Sequence, residues 1–294
     1  MRILAISDVV RWDGYDKIVA RHAPNVVVLC GDLTSDGAAA FWETAYDSIP
    51  AFVQQKDRLR KRFGVLKGEN GIQTISKGLE KFDEFRRRVD KLERKYSKTP
   101  AFTRARNMLH TEPFYRLLKF AGKRSTVLVV KGNHDSDFPR DYSVKRINGI
   151  RGCREISGKV HEAAGCTFLG LGFAETHYLK KLRELHSRCE RVDVIITHAE
   201  QRRVPLLAQF TPRVIIRGHF GSGCWLVSGI PAVFTSGIMY TVIDLPRSGR
   251  PRMVQYSARF TRSGQISKVR EIKSGSQKSE LQLYPWLGKF PTNR

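Results

Sequence analysis

Short apolar, β-branched runs recur along the chain, each ending near Gly, Asp, Asn or His. They cover residues 3–6, 26–30, 127–130, 168–171, 192–196 and 214–216. Runs of this kind predict short strands buried on both faces. Between the first two, residues 15–23 predict a helix closed off by Pro24, giving the strand–helix–strand unit of a parallel sheet with a right-handed crossover. Further strands are expected at 225–228, 232–235 and 239–244, and a helix over 176–191, where Tyr178, Leu182 and Leu185 recur at helical spacing. Two sheets packed face to face, with helices outside, would use all of these elements. The expected class is α/β.

Residues 51–124 follow another pattern. Segments 54–63, 76–96 and 102–120 are helical by composition and heavily charged, and Leu79, Phe82, Phe85, Val89 and Leu92 form one apolar stripe. Such a stripe predicts a seam between two helices, while Arg86, Arg87 and Arg88 lie on the remaining faces. The expected division is a core of 1–50 and 125–245, a basic helical insert over 51–124, and a basic C-terminal extension over 246–294. That extension holds one strand at 253–260, a disordered stretch over 272–283, and an apolar end at Leu283, Tyr284, Trp286 and Leu287.

Charge changes this picture. The formal net charge is +24, and it is unevenly spread. Residues 54–124 carry 21 basic against 8 acidic groups and residues 245–294 carry 11 against 2, leaving the remainder near balance. Concentrated positive charge attracts polyanions, namely RNA, DNA or an anionic membrane face. A plainer alternative is a surface suited to solubility, high salt or heat. Five scattered cysteines without a C-x-x-C fit reduced thiols. No apolar run approaches a membrane span, and the N-terminus turns polar too early for a signal peptide. These features lead to the expectation of a soluble, cytoplasmic protein.

The polar residues at the strand ends carry the candidate chemistry. Asp8 follows the first strand, Asp32 the second, and Asn133, His134 and Asp135 the third, while His198 and His219 follow two later strands. The carboxyl ends of strands are where α/β sheets build sites. Carboxylate, amide oxygen and imidazole together suit a divalent ion such as Mn, Fe, Zn or Ni.

The order Asp8, Gly31-Asp32, Gly132-Asn133-His134-Asp135, His198, Gly218-His219 resembles the signature of the calcineurin-like metallophosphoesterases, over roughly residues 1–50 and 125–245. The resemblance implies a four-layer α/β/β/α sandwich, with metal ligands Asp8, Asp32, Asn133, His198 and His219. It also implies that His134 sits beside the phosphate, stabilising charge or protonating the leaving oxygen, with Asp135 as an orienting partner. Two positions depart: Val10 and Gly221 stand where the family pattern has histidines. Both would belong to the first metal, which they share with Asp8 and the bridging Asp32. The second set, Asp32, Asn133, His198 and His219, is intact, so one tightly bound ion is expected rather than two. A neighbouring side chain such as His22, His161 or Asp36 is a candidate to refill the first site, although no motif marks one. Arg202 and Arg203, close behind His198, are candidate phosphate-binding residues.

Three functions follow. The first is a metal-dependent phosphoesterase, a phosphodiesterase or nuclease, with nucleic acid held by the basic insert and tail. The second is a fold that lost one metal and now serves as a nucleic-acid-binding or scaffold protein. The third places the basic helices on an anionic membrane.

Overall fold

The computed structural model describes residues 1–9, 12, 14–34, 45–67, 73–75, 79–136, 141–177, 179–188, 192–198, 207–219, 223–227, 229–235, 239–260 and 266–273. Val10, Asp36, Arg202, Arg203, Gly221 and the apolar C-terminal end lie outside them.

The chain opens as its pattern predicts. Strand β1 (Arg2–Ile6) leads through helix α1 (Tyr15–His22) to β2 (Val26–Cys30), and β1 and β2 pair in parallel with Ile3 beside Val26. Ala23 ends α1 in the left-handed region and its N–H closes on the Val19 carbonyl, just before Pro24. A 3₁₀ turn at Ala45–Ser48 then leads into α2 (Pro50–Phe63), the hairpin β3 (Val65–Lys67) and β4 (Gln73–Ile75), and α3 (Leu79–Tyr96).

The single helix expected over 102–120 is in fact three pieces. These are α4 (Pro100–Arg106), a π-helical turn at Asn107–Thr111, and α5 (Glu112–Ala121). Pro113 in the first turn of α5 has no N–H to return to the preceding turn, and the wider π spacing accommodates that loss. Thr99 caps α4 by accepting from the Phe102 N–H, as short polar side chains do at helix starts.

The later elements are β5 (Thr126–Val130), α6 (Val144–Asn148), β6 (Cys153–Glu155), β7 (Lys159–Ala163), β8 (Cys166–Leu171), α7 (Phe173–His177) and α8 (Leu179–Arg188). They are followed by β9 (Val194–Thr197), β10 (Val214–Arg217), β11 (Gly223–Val227), β12 (Ile230–Phe234), β13 (Met239–Asp244), β14 (Arg252–Phe260) and β15 (Ile266–Lys273).

One sheet runs β15-β14-β13-β1-β2-β5-β6 and the other β11-β12-β10-β9-β8-β7. Each has four parallel strands in its middle or at one end, namely β1, β2, β5, β6 and β8, β9, β10, β12. Residues 272 and 273, expected to be disordered, belong to β15, where Ile272 pairs with Gln255 and Lys273 with Val254. The strand's many charged residues hid it.

Alternation along the strands sets the layers. Ile3, Ala5, Val26, Val28, Leu128 and Val130 face Phe168, Val194, Ile196, Val214 and Ile216 of the second sheet. Leu4, Ile6, Val27, Leu29, Val127 and Val129 point the other way, onto α1 and α5. Ile195, Ile215, Leu169 and Phe234 form the second sheet's outer face, beneath Leu185 of α8, Leu207 and Phe210. The result is a mixed α/β sandwich of two sheets flanked by helices. A separate small core of Ala45, Ile49, Phe52, Leu92 and Phe102 holds α2, α3 and α4 together. Phe85 of the predicted stripe is buried and meets Phe63 edge-on. Among the described residues, no helix is long and apolar enough to cross a membrane.

Candidate metal centre

The carboxyl ends of β1, β2, β5, β9 and β10 deliver Asp8, Asp32, Asn133, His198 and His219 to one place. His198 is its centre and is fully buried. Its Nδ1 lies 2.6 Å from the Cys30 carbonyl oxygen. A carbonyl only accepts, so Nδ1 carries a proton, and in the neutral imidazole Nε2 keeps the lone pair. That Nε2 sits 3.0 Å from Asn133 Oδ1, 3.1 Å from His219 Nδ1 and 3.3 Å from Asp32 Oδ2. Four donor atoms therefore gather around one point, and Asp32, His198 and His219 form a group able to hold a metal ion. Orientation of a ligating imidazole by a carbonyl on its other nitrogen is the usual support for such a site. The donor chemistry of nitrogen, amide oxygen and carboxylate fits a borderline divalent ion.

Electrostatics follows from the crowding. Burial opposes charge on His198, but the Asp32 carboxylate, with Asp8 and the Cys30 carbonyl behind it, outweighs burial and raises the group to about 9. Burial likewise opposes charge on Asp32, yet His198 and His134 hold it below the usual carboxylate range. Asp8 is pushed up to about 6, first by burial and also by Asp32, against the pull of His198. In metal-free protein His198 therefore favours its protonated form, a positive charge beside the Asp32 carboxylate.

Asp8 itself is differently employed. Its Oδ2 accepts from the Ser7 hydroxyl at 2.5 Å and from the His219 backbone N–H at 2.9 Å. Asp8, Asp32 and His219 all take left-handed backbone angles, with φ of 51°, 53° and 66°. Such residues cost about 1–3 kcal/mol each and persist only where neighbours hold them. The Asp8–His219 bond is one such hold. Gly31 and Gly132 permit the close approach, since a Cβ on Gly31 would come 2.5 Å from His198 Nδ1 and one on Gly132 would overlap Asp32 Oδ1.

Asp135 makes its hydrogen bonds to two neighbouring loops. Asp135 is fully buried and accepts from the backbone N–H groups of Asp32, Leu33, Thr34 and Gly132, and from the Thr34 hydroxyl. Burial and the charge of Asp32 push it up, whereas the N–H groups push it down. Because every partner is a donor, the ionised form is the one that these loops are built around. Asp135 thus ties the Asp32 loop to the Asn133 loop. His134 is half-buried beside Asp32, and its backbone N–H donates to Asp32 Oδ1 at 2.9 Å.

Three residues had no signal in the sequence motifs. Ser7 bonds Asp8, as above. Buried Arg217 donates to the His219 carbonyl at 2.8 Å and lies over the Phe234 ring. Phe173, opening α7, stands 5.7 Å from His219 and 6.4 Å from His198 between ring centroids. Only a preference for apolar or charged residues next to strand ends could have pointed to them. His22 and His161 do not approach the site's ligands. His22 packs with Tyr240 and Tyr256, and His161 lies in β7, at the edge of its sheet.

No protein-family model matches the sequence, and no curated protein matches it. Solved structures similar to this chain include TT1561 of Thermus thermophilus, 12% identical, over 92% of this chain and 98% of that one, with a TM-score of 0.49. Another is Vps29 of Chaetomium thermophilum, 10% identical, over 92% of this chain and 95% of that one, with a TM-score of 0.35. The fold is read from the sheets and the strand ends themselves. Two facing, parallel-rich sheets between helical layers, with Asp8, Asp32, Asn133, His198 and His219 near the carboxyl ends of five strands, agree with the α/β sandwich that the sequence resemblance implies.

Proposed function

We propose that the protein is a metal-dependent phosphoesterase acting on phosphodiesters, with nucleic acid as the preferred substrate class. One observation carries this reading: His198 Nε2, Asn133 Oδ1, His219 Nδ1 and an Asp32 oxygen converge within hydrogen-bonding distance of His198. A divalent ion held there would supply Lewis-acid polarisation of a phosphoryl oxygen and acidify water.

The chain's own residues supply the rest. The Cys30 carbonyl keeps the His198 lone pair turned inward, and Asp135 fixes the spacing of the Asp32 and Asn133 loops. His134 is the general acid for the leaving oxygen, or the charge partner of the phosphate, and is assigned from its place in Gly132-Asn133-His134-Asp135. Arg202 and Arg203 are retained as phosphate-binding candidates on sequence position alone.

The test is hydrolysis of bis-p-nitrophenyl phosphate, single-stranded RNA and single-stranded DNA with added Mn, set against His134→Ala. Activity that is lost in the variant supports the reading. No activity above the variant with any of several metals overturns it. Val10 and Gly221 favour a second reading, a non-catalytic nucleic-acid-binding fold, which predicts binding without turnover.

A further inference from the structure

A large concentration of positive charge lies away from the strand ends, on the helical segment. Helices α2 and α3 pack along the seam of Leu59, Phe85 and Leu92, and beside that seam they leave a groove of about 620 Å³. Its walls carry Arg58 and Arg62 from α2 and Arg88, Lys91 and Lys95 from α3, over Gln55, Leu59 and Leu92. All five cations are exposed, and among the described residues no acidic side chain lines the groove. Glu84 bonds Arg88, with Arg87 on its other oxygen. Arg58, Arg62, Lys91 and Lys95 have no salt bridge among the described residues. Four like charges thus face one another across a gap with an aliphatic floor, an arrangement that repels itself in water and focuses an attractive field on an anion.

The spacing selects the anion. Arg58 and Arg62 are one helical turn apart, about 6 Å, and Arg88 to Lys95 spans about 10 Å. A nucleic-acid strand places a charge every 3.4 Å or so along its axis, so a short stretch of backbone meets several of these cations. A single strand can lay its bases over Leu59 and Leu92 while its phosphates meet the cations of the walls.

We infer that the α2–α3 groove is an anchoring site for a single strand of nucleic acid, with Arg58, Arg62, Lys91 and Lys95 as its phosphate contacts. The inference rests on the phosphodiester reading above for its purpose, though not for its chemistry. The site holds the strand, and the strand-end residues act on it elsewhere.

The test uses the full chain and a fluorescein-labelled twelve-residue oligothymidylate, followed by anisotropy in EDTA across a KCl series. No turnover occurs under these conditions, so a failure of the hydrolase reading leaves the result untouched, and a failure here leaves that reading standing. Neutralising all four contacts (Arg58→Gln, Arg62→Gln, Lys91→Gln, Lys95→Gln) should flatten the log–log salt slope by about 3 and weaken binding roughly 100-fold at 0.15 M salt. Neutralising four exposed cations elsewhere (Lys17→Gln, Arg21→Gln, Lys145→Gln, Arg151→Gln) should change the slope by less than about 1. The charge-preserving pair Arg58→Lys and Arg62→Lys should keep the wild-type slope, which excludes misfolding as the cause. Equal losses in the groove and control variants overturn the proposal, as does loss in the charge-preserving pair. Binding to phosphatidylserine vesicles through these residues, without binding to the oligonucleotide, also overturns it.

Discussion

The two sides of the strand-end site differ in what their donor atoms do. On one side, Asp32, Asn133, His198 and His219 turn their donor atoms toward a common point, and the Cys30 carbonyl fixes the tautomer of the central imidazole. On the other side, Val10 and Gly221 occupy the positions where the expected pattern has histidines, and the Asp8 carboxylate is engaged within the protein. Asp8 accepts from the Ser7 hydroxyl and from the His219 N–H. It ties down the backbone of His219, whose φ is 66°. The comparison teaches that a carboxylate at such a site can support the backbone of a neighbouring donor residue.

Removing a donor from the convergent side should have the largest effect. Asp32→Asn is expected to weaken Mn binding by about 100-fold or more, exceeding the usual loss when only a supporting residue is removed. Isothermal titration measures it. A loss below about tenfold would mean that Asp32 is not a ligand.

The proton that substitutes for the ion gives the next effect. His198 is raised in the folded chain from 6.5 to about 9, so between those values the folded state binds more protons than the unfolded one. Stability must therefore fall as pH rises through that window. The expected fall in metal-free protein is about 3 kcal/mol at most, read by urea unfolding from pH 6 to 9.5 in EDTA. Saturating Mn should remove the slope, since the ion replaces the proton, and His198→Gln should abolish it. An unchanged slope in His198→Gln would assign it to another group.

Asp135 separates loop support from ligation. Asp135→Asn places an amide NH₂ among buried backbone donors, with an expected cost of about 2 kcal/mol. Thermal unfolding of the metal-free protein would register it. Stability equal to wild type would remove Asp135 from the account of how the two loops are held.

Much of this was legible in the sequence, for reasons that can be named. β13 was read at its observed limits because 239–244 is a short apolar run beside a tight turn. The gathering of these side chains was legible because each lies a residue or two beyond such a run. The loop-tying bonds of Asp135 were not legible, because the N–H groups of Asp32, Leu33 and Thr34 that it accepts from lie about a hundred residues away. No side-chain pattern reports where backbone N–H groups gather. Short β6 and β7 were missed because Arg154, Lys159 and Glu162 leave no apolar signature. The groove between α2 and α3 needed both helices in place, since the cations of its two walls come from separate stretches of the chain.

The smallest expected effect sharpens the opening contrast. Asp8→Asn should weaken Mn binding by about tenfold, the low end of the cost of losing a supporting residue, short of the loss in Asp32→Asn. Equal losses would restore Asp8 as a full ligand.

The most direct measurement is metal content by mass spectrometry after reconstitution with Mn, for wild type and His219→Ala. The account predicts one ion per chain in wild type and none in the variant. Two ions per chain, or none in wild type, would contradict it.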